Sequence, residues 1–394
     1  MTMMDNLRII AAVVRREARL VASSRTITTI VILAPLFFSL FYGTIYLRKG
    51  ENQIAVVVVD EDRSQMSLEL IRNLDGHQMM AVMVTTPDLE TGRHKFRMLD
   101  AHAVVYIPSG FQRSLARGEG ADLKVYLNAS RFLVANDVYK AVTEVAATIG
   151  AGVRLRFLQS HGYSLGQAMG LIEPLRLDLR SIYNSPETYG DFLLPGVLVL
   201  ILQQTLLFGL AQSIGREREK KMLAELLQVA GGLWRAMIGK GMFYLLLFCA
   251  YAFFAYVVLF PLFNLPLNGN IAALAAVTLL FLLAVVACTL LVGTFFPTEL
   301  SAFQATLFTS YPIFFFTGYS WPLLSMPWLL KGVAVLLPTT PYLQAVSRLG
   351  RMGGSWGEIW PQAAHLAVLL IVATIGAWFL WRRMLMTASD TASA

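Results

Sequence analysis

The stretch that decides the fold is residues 241–298, GMFYLLLFCAYAFFAYVVLFPLFNLPLNGNIAALAAVTLLFLLAVVACTLLVGTFFPT, which holds no Asp, Glu, Lys or Arg. A helix needs about 20 residues to cross a hydrocarbon core of about 30 Å, so this run is long enough for two. Its middle, Pro261-Leu262-Phe263-Asn264-Leu265-Pro266-Leu267-Asn268-Gly269-Asn270, is a cluster of turn formers. The cluster splits the run into spans at 239–262 and 271–296 joined by a tight hairpin. The whole chain agrees: of 394 residues, 56% are hydrophobic and 14% charged, where soluble domains have about 45–50% and about 25%. A purely soluble enzyme is excluded. Cys249 and Cys288 both lie in apolar runs, so a disulfide framework, an iron–sulfur site and a Cys-rich zinc site are not expected.

Four more uncharged runs lie outside this one. Residues 26–47, followed by Arg48 and Lys49, form span one; the run is longer than a signal-peptide core and no cleavage site follows, so it reads as a retained anchor. Span two, 190–215, is uncharged from Phe192 on and is entered through Leu194-Pro195-Gly196, with the proline in a first helical turn. Span five, 300–320, holds Pro312, and span six, 361–381, is closed by Arg382 and Arg383. Six spans put both termini on one side. Basic residues in short flanking segments identify that side as cytoplasmic: Arg8, Arg15, Arg16, Arg19 and Arg25 precede span one, and Arg216, Arg218, Lys220, Lys221, Arg235 and Lys240 lie between spans two and three. The tail 382–394 adds two, and the loop between spans three and four has none. The formal charge of +7 is therefore mostly an inner-leaflet signature rather than a nucleic-acid footprint.

Residues 48–189 are the one segment long enough for a folded domain outside the membrane. Ile54–Val59 is a β-branched run ending at Asp60-Glu61-Asp62, and Met66, Leu70, Ile71 and Leu74 follow at helical spacing. Further strands are expected over 80–85, 101–107 and 122–127, a short helix to Ala116 capped by Ser109, and a long helix over 134–161. Strands alternating with helices make this a small extracytoplasmic α/β domain. Asp60 and Asp62 read as a strand end and helix cap rather than as metal ligands, and His77, His94, His102 and His161 lack ligand spacing. No phosphate-binding Gly-x-x-x-x-Gly-Lys-Ser/Thr loop occurs, so any ATP hydrolysis belongs to another chain, and no cofactor is expected in this one.

Two cytoplasmic features remain. In residues 1–25, Leu7, Ile10, Ala11, Val14, Ala18 and Val21 share one helical face with arginines opposite, an amphipathic helix suited to the inner headgroup layer of the membrane lipids. In 216–238, Arg216-Glu217-Arg218-Glu219-Lys220-Lys221 leads without a break into Met222, Leu223, Leu226 and Leu227 and then Gly231-Gly232, a helix with a charged start and an apolar side. Such a helix suits docking of a soluble partner, or packing on its own spans.

This segment resembles the Arg-Glu-Arg-Glu-Lys-Gly-Thr-Leu-Glu-Gln-Leu-Leu coupling helix of ABC-2 type permeases, the membrane subunits of ABC exporters. Three more blocks are similar to the subgroup with a large extracytoplasmic domain: Val104-Tyr106-Ile107-Pro108 to Gly118, Tyr183-Asn184-Ser185-Pro186 with Pro195-Gly196, and Phe316 to Trp328 with Leu337-Pro338. The sequence departs from the family where Lys221-Met222 replaces Gly-Thr and Val229-Ala230 replaces Thr-Pro. The resemblance implies an α-helical polytopic protein of the bacterial inner membrane with six transmembrane helices. It also implies a dimer with a second copy or a sister permease, and an ABC ATPase subunit that binds ATP and magnesium and contacts Arg216, Glu217, Arg218, Glu219, Lys220, Leu223, Leu226 and Leu227. A periplasmic adaptor is a further expected partner, and nucleic acid is not. Within the outer loop 321–358 the resemblance implies short re-entrant helices over about 321–343, and Pro322, Pro327, Pro338 and Pro341 break any single helix there while the composition stays mostly apolar.

Uncharged polar residues inside spans need a partner or a wet cavity, which makes Gln203, Gln204, Gln304, Thr306 and Ser310 candidates for lining a pathway, with Phe315 and Tyr319 at its outer end. Interhelical hydrogen bonding and an aromatic belt are the alternatives. The expected function is export of a hydrophobic or amphipathic, drug-like or lipid-like substrate. The rivals are export of a glycan or lipid-linked polymer, and a scaffold or sensor that only presents the outer domain.

Overall fold

The computed structural model describes residues 3–47, 52–172, 180–184 and 188–393, with side chains to 386. Arg48, Lys49, Ser185 and Pro186 lie outside the described residues. Two compact units form, Gly50–Arg180 and Met1–Lys49 with Ser181–Ala394.

The smaller unit is a four-stranded sheet of β1 (Ile54–Asp60), β2 (Met80–Thr86), β3 (Ala103–Ile107) and β4 (Lys124–Leu127), in the order β2-β1-β3-β4. β1 pairs in parallel with β2 and β3, and β4 runs antiparallel to β3. β1 is central and covered on both faces, which is why its valines run on without alternation. Val56 and Val58 face the helices Gln65–Asp75 and Phe132–Ser160; Val57 and Val59 face the polar helix Leu89–Met98 through Leu89 and Phe96. The short helix Phe111–Ala116 starts at Gly110, in a left-handed conformation (φ 84°), not at Ser109.

Among the described residues of the larger unit, five helices are long and apolar enough to cross a membrane: Arg25–Ile45, Tyr189–Glu219, Leu233–Leu262, Ile271–Gly293 and Trp360–Met386, hereafter the first, second, third, fourth and last helices. Glu299–Phe316, the fifth helix, has 18 residues and is not among them. Glu299, Ser301, Gln304, Thr306, Thr309 and Ser310 lower its hydropathy. Both the first and the third helix pass through a π-turn, Thr29–Leu33 and Ala255–Leu259, just before Pro35 and Pro261. A proline ring clashes with the carbonyl four residues back, and widening that turn relieves the clash without breaking the helix. Pro195 sits inside the second helix rather than in its first turn, because Thr188 caps that helix seven residues earlier.

The second helix lies at the centre, with most of its length buried. Three glycines let neighbours approach it: a Cβ on Gly196 would lie 2.4 Å from the Tyr319 ring, one on Gly215 would lie 2.5 Å from the Thr298 carbonyl oxygen, and one on Gly209 would run into Val31. Between the fifth and last helices the chain forms the short helices Trp328–Leu336 and Thr339–Val346. The second is anchored by Tyr342, fully buried, stacked on Phe281 with centroids 4.0 Å apart. Its hydroxyl lies 2.7 Å from that of Tyr256 and 2.8 Å from that of Thr278.

Candidate functional site

The charged segment after residue 215 does not form one continuous surface helix. The second helix runs on to Glu219, the chain turns through Lys220 to Met222 with Lys221 left-handed (φ 55°), and a separate helix occupies Leu223–Ala230. A left-handed residue strains any side chain with a Cβ. That is a physical reason for glycine at this position in the family pattern.

Four consecutive charges at the end of the second helix tie to several surrounding elements, and Arg216 and Glu219 share Glu299. Arg216 lies 3.7 Å from Glu299, and its guanidinium donates to Ser23 Oγ at 3.4 Å. Arg218 donates to the carbonyls of Thr294 (2.5 Å) and Phe296 (2.9 Å) just beyond the fourth helix, where helix ends leave acceptors unpaired. Glu219 accepts from the Glu299 N–H at 3.0 Å, an orphan donor at the start of the fifth helix. Glu217, fully buried, pairs with Arg16 of the leading helix Met3–Ser23 and with Lys240 of the third helix at 2.9 Å.

Lys240 is the centre of this cluster. Its ammonium is fully buried, 2.8 Å from Glu17 Oε2 and 2.6 Å from Ser213 Oγ. Glu17, also fully buried, accepts from the hydroxyls of Ser213 and Tyr244. Arg16 reaches onward to Glu225 of the Leu223–Ala230 helix at 3.2 Å and to the Met222 carbonyl at 3.3 Å. Two buried acids thus face two buried bases, which is the condition for keeping charges out of water.

The leading helix is turned accordingly. Its buried stripe is Val13, Arg16, Glu17, Leu20 and Val21, while Leu7 and Ala11 of the expected apolar face are exposed and Ile10, Val14 and Ala18 half-buried. Sequence reading missed Arg16, Glu17, Ser213, Lys240 and Tyr244 as one site. The available signal was Glu17, an acid in register with Val13, Leu20 and Val21.

Among the residues expected to meet an ATPase, Leu223 and Leu226 are buried, Leu227 half-buried, and Lys220 exposed. The exposed residues of this segment are Glu219, Lys220, Lys221, Ala224, Glu225, Gln228 and Val229, of which Glu219 and Glu225 are tied to Glu299 and Arg16. Of the expected pathway residues, Gln203 and Gln204 lie on the second helix, Gln304, Thr306, Ser310 and Phe315 on the fifth, and Tyr319 just beyond it. Gln203 accepts from Thr339 Oγ1 at 2.5 Å, and Gln204 donates to the Ser310 carbonyl at 3.2 Å. Thr306 is buried and bonds Ala302 of its own helix, Ser310 bonds Leu307, and Gln304 and Phe315 are exposed. Tyr319 donates to the Phe192 carbonyl and stacks on the Phe192 ring at 5.2 Å.

In the smaller unit, the crevice beyond the carboxyl ends of β1 and β3 is where open parallel sheets take ligands. The chain's own carboxylates occupy it. Asp62 accepts from the N–H groups of Gly110 (2.7 Å) and Gln112 (3.0 Å), and Asp60 from Asp62 N, Arg63 N and Ser67 Oγ. Burial works against ionised Asp62, but hydrogen bonds from Ser64, Gln112, Gly110 and Phe111 outweigh it and hold its carboxyl below the usual range.

Membrane-length helices around one central helix, whose charged end is tied to a short lateral helix, define a polytopic helical membrane protein with an α/β insertion. A family model described as ABC-2 family transporter protein matches residues 25–379, and the chain belongs to that family. It is 21% identical over 365 residues to "Probable multidrug ABC transporter permease YbhR" of Escherichia coli (strain K12), covering 91% of this chain and 94% of that one. It is 22% identical over 377 residues to "Inner membrane transport permease YhhJ" of the same organism, covering 92% and 93%. The chain is thus a membrane permease subunit of an ABC transporter, a component whose ATPase is a partner.

Proposed function

We propose that this permease subunit exports a hydrophobic or amphipathic substrate, drug-like or lipid-like, from a bacterial inner membrane. It works as a dimer with a second copy or sister permease above two ATPase subunits, with six spans, both termini in the cytoplasm and the α/β unit outside. The substrate class rests on the multidrug permease among its relatives. The coupling role rests on one observation: the Leu223–Ala230 helix is tied through Glu225 and Arg16 to buried charges on the second and third helices.

In this reading the work is divided between residues. Lys220, Lys221, Ala224, Gln228 and Val229 meet the ATPase. Arg216 to Glu219, Leu223 and Leu226 carry its displacement into the helices.

The test is site-directed cross-linking of the full complex. Cysteine at Ala224 or Gln228 should cross-link to a co-expressed ATPase, and cysteine at Leu223 should not. Reconstituted vesicles should show ATP hydrolysis stimulated by amphipathic compounds, with outward movement of the compound. A complex whose ATPase binds elsewhere and cross-links to neither position refutes the docking face, and one that moves nothing supports the scaffold rival.

A further inference from the structure

Two adjoining clefts on the larger unit share Trp378. One, of about 540 Å³, is lined by Leu227, Gly232, Leu233, Trp378, Arg382, Leu385 and Met386. The other, of about 360 Å³, is lined by Trp234, Thr374, Ile375, Trp378 and Phe379. Together they follow the last helix from Thr374 to Met386, about 18 Å at 1.5 Å per residue. That is roughly the hydrocarbon depth of one leaflet.

The lining has two chemically distinct ends. The Thr374 end is apolar: Trp234, Ile375 and Phe379 are exposed, and the Thr374 hydroxyl is spent on the Leu370 carbonyl of its own helix at 2.6 Å. The other end carries Arg382, whose guanidinium sits 5.6 Å from the centroid of the Trp378 ring. This cation–π contact aims the charge over the cleft mouth while leaving its donors free for an anion. Among the described residues no carboxylate pairs with Arg382, and none lines either cleft.

We infer that this groove binds one anionic phospholipid of the inner leaflet, an acyl chain along Trp234, Ile375 and Phe379 and its phosphate on Arg382. The leaflet rests on the orientation given under Proposed function; the headgroup preference rests on Arg382 alone. Leu227 and Gly232 form part of the wall, so the lipid bridges the last helix and the end of the short lateral helix. Lipid composition then acts on the segment that meets the ATPase.

The probe is bromine-labelled lipid in vesicles of the full-length protein, with tryptophan emission as the readout. Brominated phosphatidylglycerol should quench Trp234 and Trp378 with about fivefold preference over brominated phosphatidylcholine, the factor one interfacial arginine supplies. Arg382→Gln should bring that ratio to about one, Arg382→Lys should retain most of it, and Trp234→Phe with Trp378→Phe should remove the selective component. Arg8→Gln, which removes an exposed charge of the leading helix, should leave the ratio unchanged. Equal quenching by both lipids overturns the proposal, as does a preference that survives Arg382→Gln. A signal of Trp234 and Trp378 reached by neither lipid also overturns it, because a second copy then covers the groove. None of these readouts needs an ATPase, so they fail independently of the docking experiment.

Discussion

Replacing Lys240 by methionine is the sharpest test of the buried cluster. The side chain keeps its length and apolar stem but loses the charge that sits within 3 Å of Glu17, Glu217 and Ser213. With Lys240 present, two buried acids face two buried bases; without it, Arg16 alone must balance both acids. Removing one partner of a buried pair costs about 3–5 kcal/mol, because the remaining charge keeps its desolvation penalty without its compensation. At roughly 2 °C per kcal/mol for a unit of this size, Lys240→Met should melt about 6–10 °C lower in detergent. A second change separates charge imbalance from lost packing. Lys240→Met with Glu17→Gln restores one acid to one base, keeps the carbonyl oxygen that accepts from Ser213 and Tyr244, and should recover at least about half of the loss. Lys221→Met, at an exposed position, is the control and should stay within about 0.5 kcal/mol. A Lys240→Met protein as stable as the parent, or a double variant no better than the single, refutes the reasoning.

Lys221→Gly should be neutral to stabilising by up to about 1 kcal/mol, since it relieves a left-handed lysine, and Lys221→Val should destabilise; thermal unfolding of the pair decides. Gly196→Leu should cost roughly 1–3 kcal/mol by driving a side chain into the Tyr319 ring, with part recovered in the Tyr319→Ala background, where the ring is gone. Asp62 is held below its ordinary value in the folded state, so its contribution is fully present above the unfolded value of about 3.9 and is lost as pH falls through the folded one. Hydrogen exchange at 110–116 should therefore rise only below about pH 4, and Asp62→Asn should remove that acid-side dependence.

How far the fold is legible in the sequence varies with the physics of each segment. The stretch 241–298 is readable because charge-free length and the Pro261–Asn270 turn formers act locally, and the structure has a turn between Leu262 and Ile271. β1 is readable from its unbroken valines. The helix Leu89–Met98 is not: its sequence, LETGRHKFRM, is polar and only Leu89 and Phe96 reach the sheet. The cap at Phe111 is equally hidden, because the carboxylate that serves it, Asp62, comes from 48 residues away. The buried charges were least legible of all. Lys240 reads as a loop cation by the rule that counts basic residues near span ends, and only its contacts with Glu17 and Glu217 reveal it as core.

The alternating charges at 216–219 carry a more general lesson about this end of the molecule. Alternating signs on a helix usually mark a solvated face. Successive helical residues, however, are about 100° apart, so four in a row point around the whole circumference. On a central helix surrounded by others, they then reach several neighbours: Arg216 the end of the leading helix and Glu299, Glu217 the cluster at Lys240, Arg218 the carbonyls after the fourth helix, and Glu219 again the first turn of the fifth. A run of four charges at the end of the most buried helix is thereby a hub with polar spokes. A displacement of Leu223–Ala230, joined to that hub by a three-residue turn and by Arg16, cannot be absorbed locally, because the buried pairing of Glu217 with Arg16 and Lys240 would have to break at several kcal/mol. The less costly response is for the helices to move together. Shortening only the spoke from Arg16, as Arg16→Lys would, should therefore uncouple ATPase stimulation more than it weakens ATPase binding.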